Sequence, residues 1–215
     1  MKIKDIMTWN VVTVSSDTPI MEARKIMETH KVRRLPVVDK GKLVGVVTMD
    51  RIVGVGPSPA TSLSVWEMNY LLAKMKVKEV MQHDVVTIDP EASIEYSLYY
   101  AQKNKVGIMP VLENNKVVGL VTTTDFALKV LNPIMGLGKP GIRLNISNCN
   151  QPKQITEIMN ITEKLGLKII AAHTLPPSEE TANGFALHVD SEDVKQLVKE
   201  IEAKGYKVVV VIRQI

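Results

Sequence analysis

Residues 3 to 51 can be laid over residues 77 to 125 with a constant offset of 74 and no gap. Fifteen of the forty-nine aligned positions are identical, and they fall at structural punctuation: Met7 with Met81, Val11-Val12-Thr13 with Val85-Val86-Thr87, Pro36-Val37 with Pro110-Val111, Gly45 with Gly119 and Thr48 with Thr122. The chain is therefore an internal duplication. The unit is too long for the short periods of solenoids and propellers. Each copy reads strand, helix, strand, strand, helix, so two copies are expected to pack face to face about a pseudo-twofold axis, with ligands sought in the crevices between them.

At 215 residues and 45% apolar content, the chain suits one or two domains with real cores. Its longest strongly apolar run, 208 to 212, is far short of the roughly 20 residues of a membrane helix. The opening Met1-Lys2-Ile3-Lys4-Asp5 lacks the apolar region of a signal peptide, so a cytoplasmic protein with no membrane association is expected. Cys149 is the single cysteine, which excludes an internal disulfide and a multi-cysteine metal site. The net charge of +4 arises in residues 1 to 139, with 18 Lys and Arg against 14 Asp and Glu. Without a dense basic stripe interleaved with aromatics, the excess argues against nucleic acid and for an anionic small molecule between the repeats.

The first helix of each copy is announced by Asp17-Thr18-Pro19 before 20 to 30 and by Asp89-Pro90-Glu91 before 94 to 103. A hairpin follows each: 35 to 38 with 43 to 47, and 109 to 112 with 117 to 121. Between the copies, Pro57 and Pro59 forbid helix, and Ser64-Val65-Trp66-Glu67 forms a capping box opening a helix with Val65, Met68, Leu72 and Met75 as its stripe. From Pro140 the period changes. Ile142, Leu144 and Ile146 alternate as a strand, Ile155 to Leu165 read as a helix, and 168 to 174 as a strand. A mobile loop is expected over 175 to 183. Phe185, Leu187 and Val189 then alternate, Ser191 caps a helix carrying Val194 to Ile201, and 207 to 212 form a last strand. This βαββαβ order is the ferredoxin-like pattern, whose open sheet edges favour oligomerisation.

The sharpest chemistry lies at Thr122-Thr123-Thr124-Asp125, where a hydroxyl and a carboxylate three residues apart meet a strand-to-helix junction. A carboxylate that accepts hydrogen bonds from a vicinal diol suits a ribose, and backbone amides suit an anion; the same spacing also suits plain helix capping. Val77-Lys78-Glu79-Val80-Met81, Val86-Thr87-Ile88, Met109-Pro110-Val111 and Gly119-Leu120-Val121-Thr122-x-x-Asp125, with their first-copy counterparts, resemble cystathionine-β-synthase (CBS) domains.

That resemblance implies an α+β fold: a tandem CBS pair, or Bateman module, with repeat 1 and its connecting helix in 1–74 and repeat 2 in 75–134. It implies a regulatory rather than catalytic module binding an adenine nucleotide (AMP, ADP or ATP, with S-adenosylmethionine or NAD as alternatives) and no metal. On it, Thr122 and Asp125 contact ribose; Val86, Thr87, Ile108, Met109 and Pro110 line the adenine pocket; Arg33 and Arg34 offer cations to phosphate. In the first copy Thr48 keeps its place, but Arg51 stands where the family has aspartate. One good nucleoside site is expected, on Thr122 and Asp125. Residues 140–215 resemble ACT domains, with Lys153 where ligand-binding members carry glycine, so dimerisation is favoured there over amino-acid sensing. The whole chain resembles the acetoin-utilisation accessory proteins, which implies a homodimer and a metabolic-enzyme partner. A non-sensing dimeric scaffold is the alternative. His30, His83, His173 and His188 are scattered and suggest no catalytic set.

Overall fold

The computed structural model describes residues 1–55, 64–177 and 184–211. Pro57, Pro59, residues 178 to 183 of the expected loop, and 212 at the end of the last strand lie outside the described residues. The chain forms two compact units, Met1–Phe126 and Ala127–Ile215.

In unit 1 the 74-residue offset is reproduced element by element. Repeat 1 has α1 (Ile20–Thr29), the hairpin β2 (Arg34–Asp39) and β3 (Lys42–Thr48), and α2 (Met49–Gly54). A connecting helix α3 (Val65–Lys74) leads to repeat 2, with α4 (Ile94–Lys103), β4 (Ile108–Glu113), β5 (Lys116–Thr122) and α5 (Thr123–Phe126). Both hairpins carry an irregularity at equivalent places, between Val37 and Val38 and between Val111 and Leu112. The Ser64–Glu67 capping box forms, with Ser64 N–H donating to Glu67 Oε2 at 2.9 Å. Of the expected α3 stripe, Leu72 and Met75 pack on the repeat 1 core; the side chains of Val65 and Met68 lie outside the described residues.

The first strand expected in each copy shrinks to single bridges, Val14 with Val37 and Ile88 with Val111. The preceding residues pair with the other repeat instead. A two-residue strand β1 (Thr8–Trp9) adds to β5, with Thr8 opposite Leu120, and Gln82 pairs in the equivalent way with Val46. Asp17 does not cap α1, whose first N–H, on Ile20, donates to the Met75 carbonyl at 3.0 Å. Asp17 accepts instead from Lys76 and Lys78, while Glu91 holds Lys2 and Lys4. The start of each repeat is thus stitched into its twin: Val77 N–H reaches Thr18 O, and Ile3 N–H reaches Ala92 O. Val77, Val80 and Met81 belong to the same buried cluster as Ile20, Met27, Leu35 and Val47 of repeat 1. Burial of this shared apolar surface, at about 25 cal/mol per Å², is what drives the pairing.

Unit 2 opens with a wide π-type turn over Ala127–Leu131 and α6 (Asn132–Met135). Then come β6 (Ile142–Ser147), α7 (Pro152–Lys164), β7 (Ile169–Leu175), β8 (Gly184–Val189), α8 (Lys195–Glu202) and β9 (Lys207–Val211). The four strands form one antiparallel sheet in the order β7-β8-β6-β9, the split βαβ arrangement of ferredoxin-like folds. Leu144, Ile146, Phe185 and Leu187 on one sheet face meet Ile158, Leu197 and Ile201 of the helices. Ser191 does not cap α8. Its hydroxyl accepts from Asp193 N–H, and Asp193 Oδ1 accepts from Lys195 N–H at 2.9 Å, so the local turn consumes the capping side chain and the helix starts later.

Candidate functional site

Thr122 is the last residue of β5, where it lies opposite Ile108 on β4. The chain turns into α5 at the next residue, and the free N–H groups of that first turn need acceptors. Asp125 Oδ2 accepts from Thr122 N–H at 2.9 Å and from its hydroxyl at 2.7 Å, and Thr122 Oγ1 accepts from Asp125 N–H at 3.3 Å. The reciprocal box fixes both side chains, so capping and site geometry are one arrangement. At the equivalent place in repeat 1, Thr48 Oγ1 accepts from Arg51 N–H at 3.3 Å, while the Arg51 guanidinium donates to Val80 O at 3.4 Å.

Because β1 of repeat 1 runs along β5, Thr8, Asn10, Val11 and Val12 come to stand beside Leu120 and Thr122. The α1–β2 connection, from His30 to Leu35, forms the facing wall. Together they enclose a cleft of about 490 Å³ that also takes in Ile108, Thr124 and half-buried Asp125. That volume lies within the range typical of small-molecule sites. Four basic residues, His30, Lys31, Arg33 and Arg34, sit on one wall, opposite the hydroxyl and carboxylate on the other. Arg33 pairs with Asp50 at 2.7 Å in a largely exposed contact, and Arg34 Nη1 donates to Gly107 O at 3.3 Å.

Of the residues proposed from the sequence, Arg33, Arg34, Ile108, Thr122 and Asp125 line this cleft. Met109 and Pro110 are buried within β4 and do not line it, and Val86 is half-buried elsewhere. Thr87 borders a shallower recess of about 400 Å³ with Asp89, Tyr96 and Tyr100. Thr48 caps α2 in repeat 1. The cleft is also lined by Thr8, Asn10, Val11, Val12, His30, Lys31, Val32, Leu35, Leu120 and Thr124, which were not expected from the sequence. Val11 and Val12 are the repeat counterparts of Val85 and Val86: the apolar pair beside Thr122 comes from the opposite copy. The signal for this exchange was present in the two identical Met and Gly pairs, since Met7 packs on Gly119 and Met81 on Gly45.

Elsewhere, Cys149 is free and fully buried, and burial pushes its thiol above the ordinary value. Arg143 Nη2 lies 2.8 Å from His173 Nε2; since guanidinium only donates, Nε2 accepts and the ring is neutral. Burial, then the Arg143 charge, lowers the His173 pKa. Among the described residues, no group of three or more His, Cys, Asp or Glu could hold a metal ion, and no helix is long and apolar enough to cross a membrane.

A doubled α/β hairpin unit whose halves exchange their leading strands around a Thr-x-x-Asp cleft defines a tandem-repeat module with a cleft between its repeats. The CBS domain family model matches residues 3–57 and 77–132, more than half of the chain, and the chain belongs to that family. An uncharacterized protein of Methanocaldococcus jannaschii is 33% identical over 132 residues, covering 61% of this chain and 40% of the relative, so the chain spans less than half of that protein. Among solved structures, a putative acetoin utilization protein, AcuB, from Vibrio cholerae is 30% identical with a TM-score of 0.51, over 61% of this chain and 91% of that one. CBSX2, crystallised in complex with AMP, shares the fold at 22% identity and a TM-score of 0.51, over 61% of this chain and 97% of that one.

Proposed function

We propose that this chain is a non-catalytic regulatory sensor that binds an adenosine-containing ligand in the Thr122–Asp125 cleft. One observation carries the reading: a hydroxyl and a carboxylate of repeat 2, bonded to each other, face four basic residues of repeat 1 across one cleft of about 490 Å³. Asp125 and Thr122 would take the ribose, Val11, Val12, Leu120 and Ile108 supply apolar contact for a base, and Lys31, Arg33 and Arg34 meet phosphate. The basic wall favours AMP, ADP, ATP or NAD over S-adenosylmethionine, whose sulfonium adds positive charge. Repeat 1 would contribute no equal site, because Arg51 replaces the acceptor and is held on Val80 O.

Unit 2 would act as an ACT-like domain. Its β7-β8-β6-β9 order supports that assignment, and its edge strands β7 and β9 suit a homodimer. Ligand occupancy would then bias the packing of the two repeats and be read by the paired C-terminal units or by a metabolic enzyme bound in the cytoplasm. Such coupling requires two states of different ligand affinity. Calorimetric titration with AMP, ADP, ATP, NAD and S-adenosylmethionine tests the reading. Saturable binding by a phosphate-bearing ligand that falls by tenfold or more in Asp125→Ala supports it; binding undiminished by that substitution removes the site assignment.

A further inference from the structure

Gly107 O, just before β4, accepts two hydrogen bonds: from Thr123 N–H at 3.2 Å and from Arg34 Nη1 at 3.3 Å. In repeat 1 the equivalent carbonyl, that of Arg33, accepts the equivalent amide, Met49 N–H, at 2.8 Å. The repeats differ here because Arg34 is matched by Ile108, and Arg33 by Gly107. Isoleucine has no donor to send back across the cleft. The Arg34 guanidinium lies against Gly107, where a Cβ would stand 3.4 Å from Nη2, in ordinary contact.

We infer that Arg34 is a ligand-displaced tether, a positioning residue that holds the first turn of α5 slack until an anion takes the guanidinium away. The inference rests on the nucleotide reading for its trigger, though not for the tether itself. Shared between two donors, Gly107 O holds the amide that opens α5 more loosely than its twin is held, and α5 carries Thr124 and Asp125. A phosphate offers guanidinium an opposite charge and two parallel bonds of about 2.7–2.9 Å, against one bond of 3.3 Å to the neutral Gly107 O. An anion in the cleft therefore wins Arg34. Gly107 O then returns to Thr123 N–H alone, and the α5 turn closes toward the repeat 1 geometry. Phosphate capture on one wall thereby sets the carboxylate on the other, coupling the two ends of a nucleotide.

The test is amide NMR and hydrogen exchange on the full chain, with the Met49 amide as internal control. Without ligand, Arg34→Ala and Arg34→Gln should each shift the Thr123 amide downfield and slow its exchange, leaving Met49 unchanged. Adding ATP to wild type should reproduce that change, whereas in either variant ATP should move Thr123 no further and bind roughly tenfold more weakly or worse. An unaltered Thr123 amide in both ligand-free variants overturns the tether. Failure of wild type to bind AMP, ATP or pyrophosphate overturns the nucleotide reading instead, with the ligand-free comparison still deciding the tether.

Discussion

The sulfur of Met81 occupies the space in which a side chain on Gly45 would begin: a Cβ there would come within 2.7 Å of Sδ and 2.8 Å of the Gln82 carbonyl oxygen. Around this contact Val46 and Gln82 exchange backbone hydrogen bonds at 3.0 and 2.9 Å, so the missing Cβ lets one repeat's leading segment lie flat on its twin's hairpin. Met7 covers Gly119 in the same manner, but there the nearest atoms are all from the Met7 side chain.

Gly45→Ala should therefore destabilise unit 1 by about 1–3 kcal/mol, as overpacking does, because the Gln82 backbone cannot yield cheaply. Gly119→Ala should cost less, since an unbranched thioether can change rotamer. Urea unfolding midpoints of the two variants give the comparison, and a larger loss for Gly119→Ala would contradict it.

Arg51→Asp should create a second Thr-x-x-Asp site in repeat 1. The substitution removes a guanidinium from Val80 O and places a carboxylate three residues after Thr48, as Asp125 follows Thr122. Calorimetry with ATP should rise from one site per chain toward two, the added site being weaker because Asn104, Lys105, Gly107 and Ile108 replace His30, Lys31, Arg33 and Arg34 on its wall. A stoichiometry that stays at one rejects it.

Acid should loosen the stitches between the repeats. Hydrogen bonds from Lys2 and Lys4 lower the Glu91 pKa to about 2, and those from Lys78 and Lys76 lower that of Asp17. Because the folded values lie below the unfolded ones, near 4, the stabilisation is complete above that pH and is lost as pH falls toward 2. All these groups are exposed, so the effect is small and screened by salt. Thermal midpoints of wild type and Glu91→Gln should converge between pH 5 and pH 2, and lie closer at all pH values in 1 M salt; divergence toward pH 2 would refute the assignment.

Unit 2 should weaken below the ordinary histidine range for a different reason. His173 must stay neutral to accept from Arg143, and its folded pKa is lowered by burial and by that cation. Its contribution is full above about 6.5 and disappears as pH drops through the depressed value. His173→Gln should flatten the stability profile of this unit between pH 7.5 and 5, measured by hydrogen exchange of β7 and β8 amides. An unchanged slope would assign the titration elsewhere.

Both hairpins, their turns and the helices α1, α4 and α7 could be read from the chain because each is set by nearby residues: period-2 β-branched runs and apolar residues at helical spacing. The cap of α4 is Ser93 rather than the expected Asp89-Pro90-Glu91, whose Asp89 closes a turn on Glu91 N–H. Apart from Asp89 and Ser191, which local turns consume, the errors lie where a local signal met a distant competitor. Asp17 looked like a cap and is instead claimed by Lys76 and Lys78; the leading strands looked like members of their own repeats and instead extend their twins. Thr122 and Asp125 were visible because three residues of spacing at a strand end suffices to bring them together. Val11, Val12, His30 and Lys31 were not, since nothing local ties them to residue 122.

The amino-acid order alone determined that there are two copies, where their hairpins turn, and that only the second carries the hydroxyl–carboxylate pair, all of which follow from spacing and side-chain chemistry along a few residues. The tertiary structure decided which walls face each other. Exchange of the leading segments is a long-range pairing, driven by shared burial of Val77, Val80 and Met81 with repeat 1, and it is this exchange that sets the basic segment of one copy against the acid of the other.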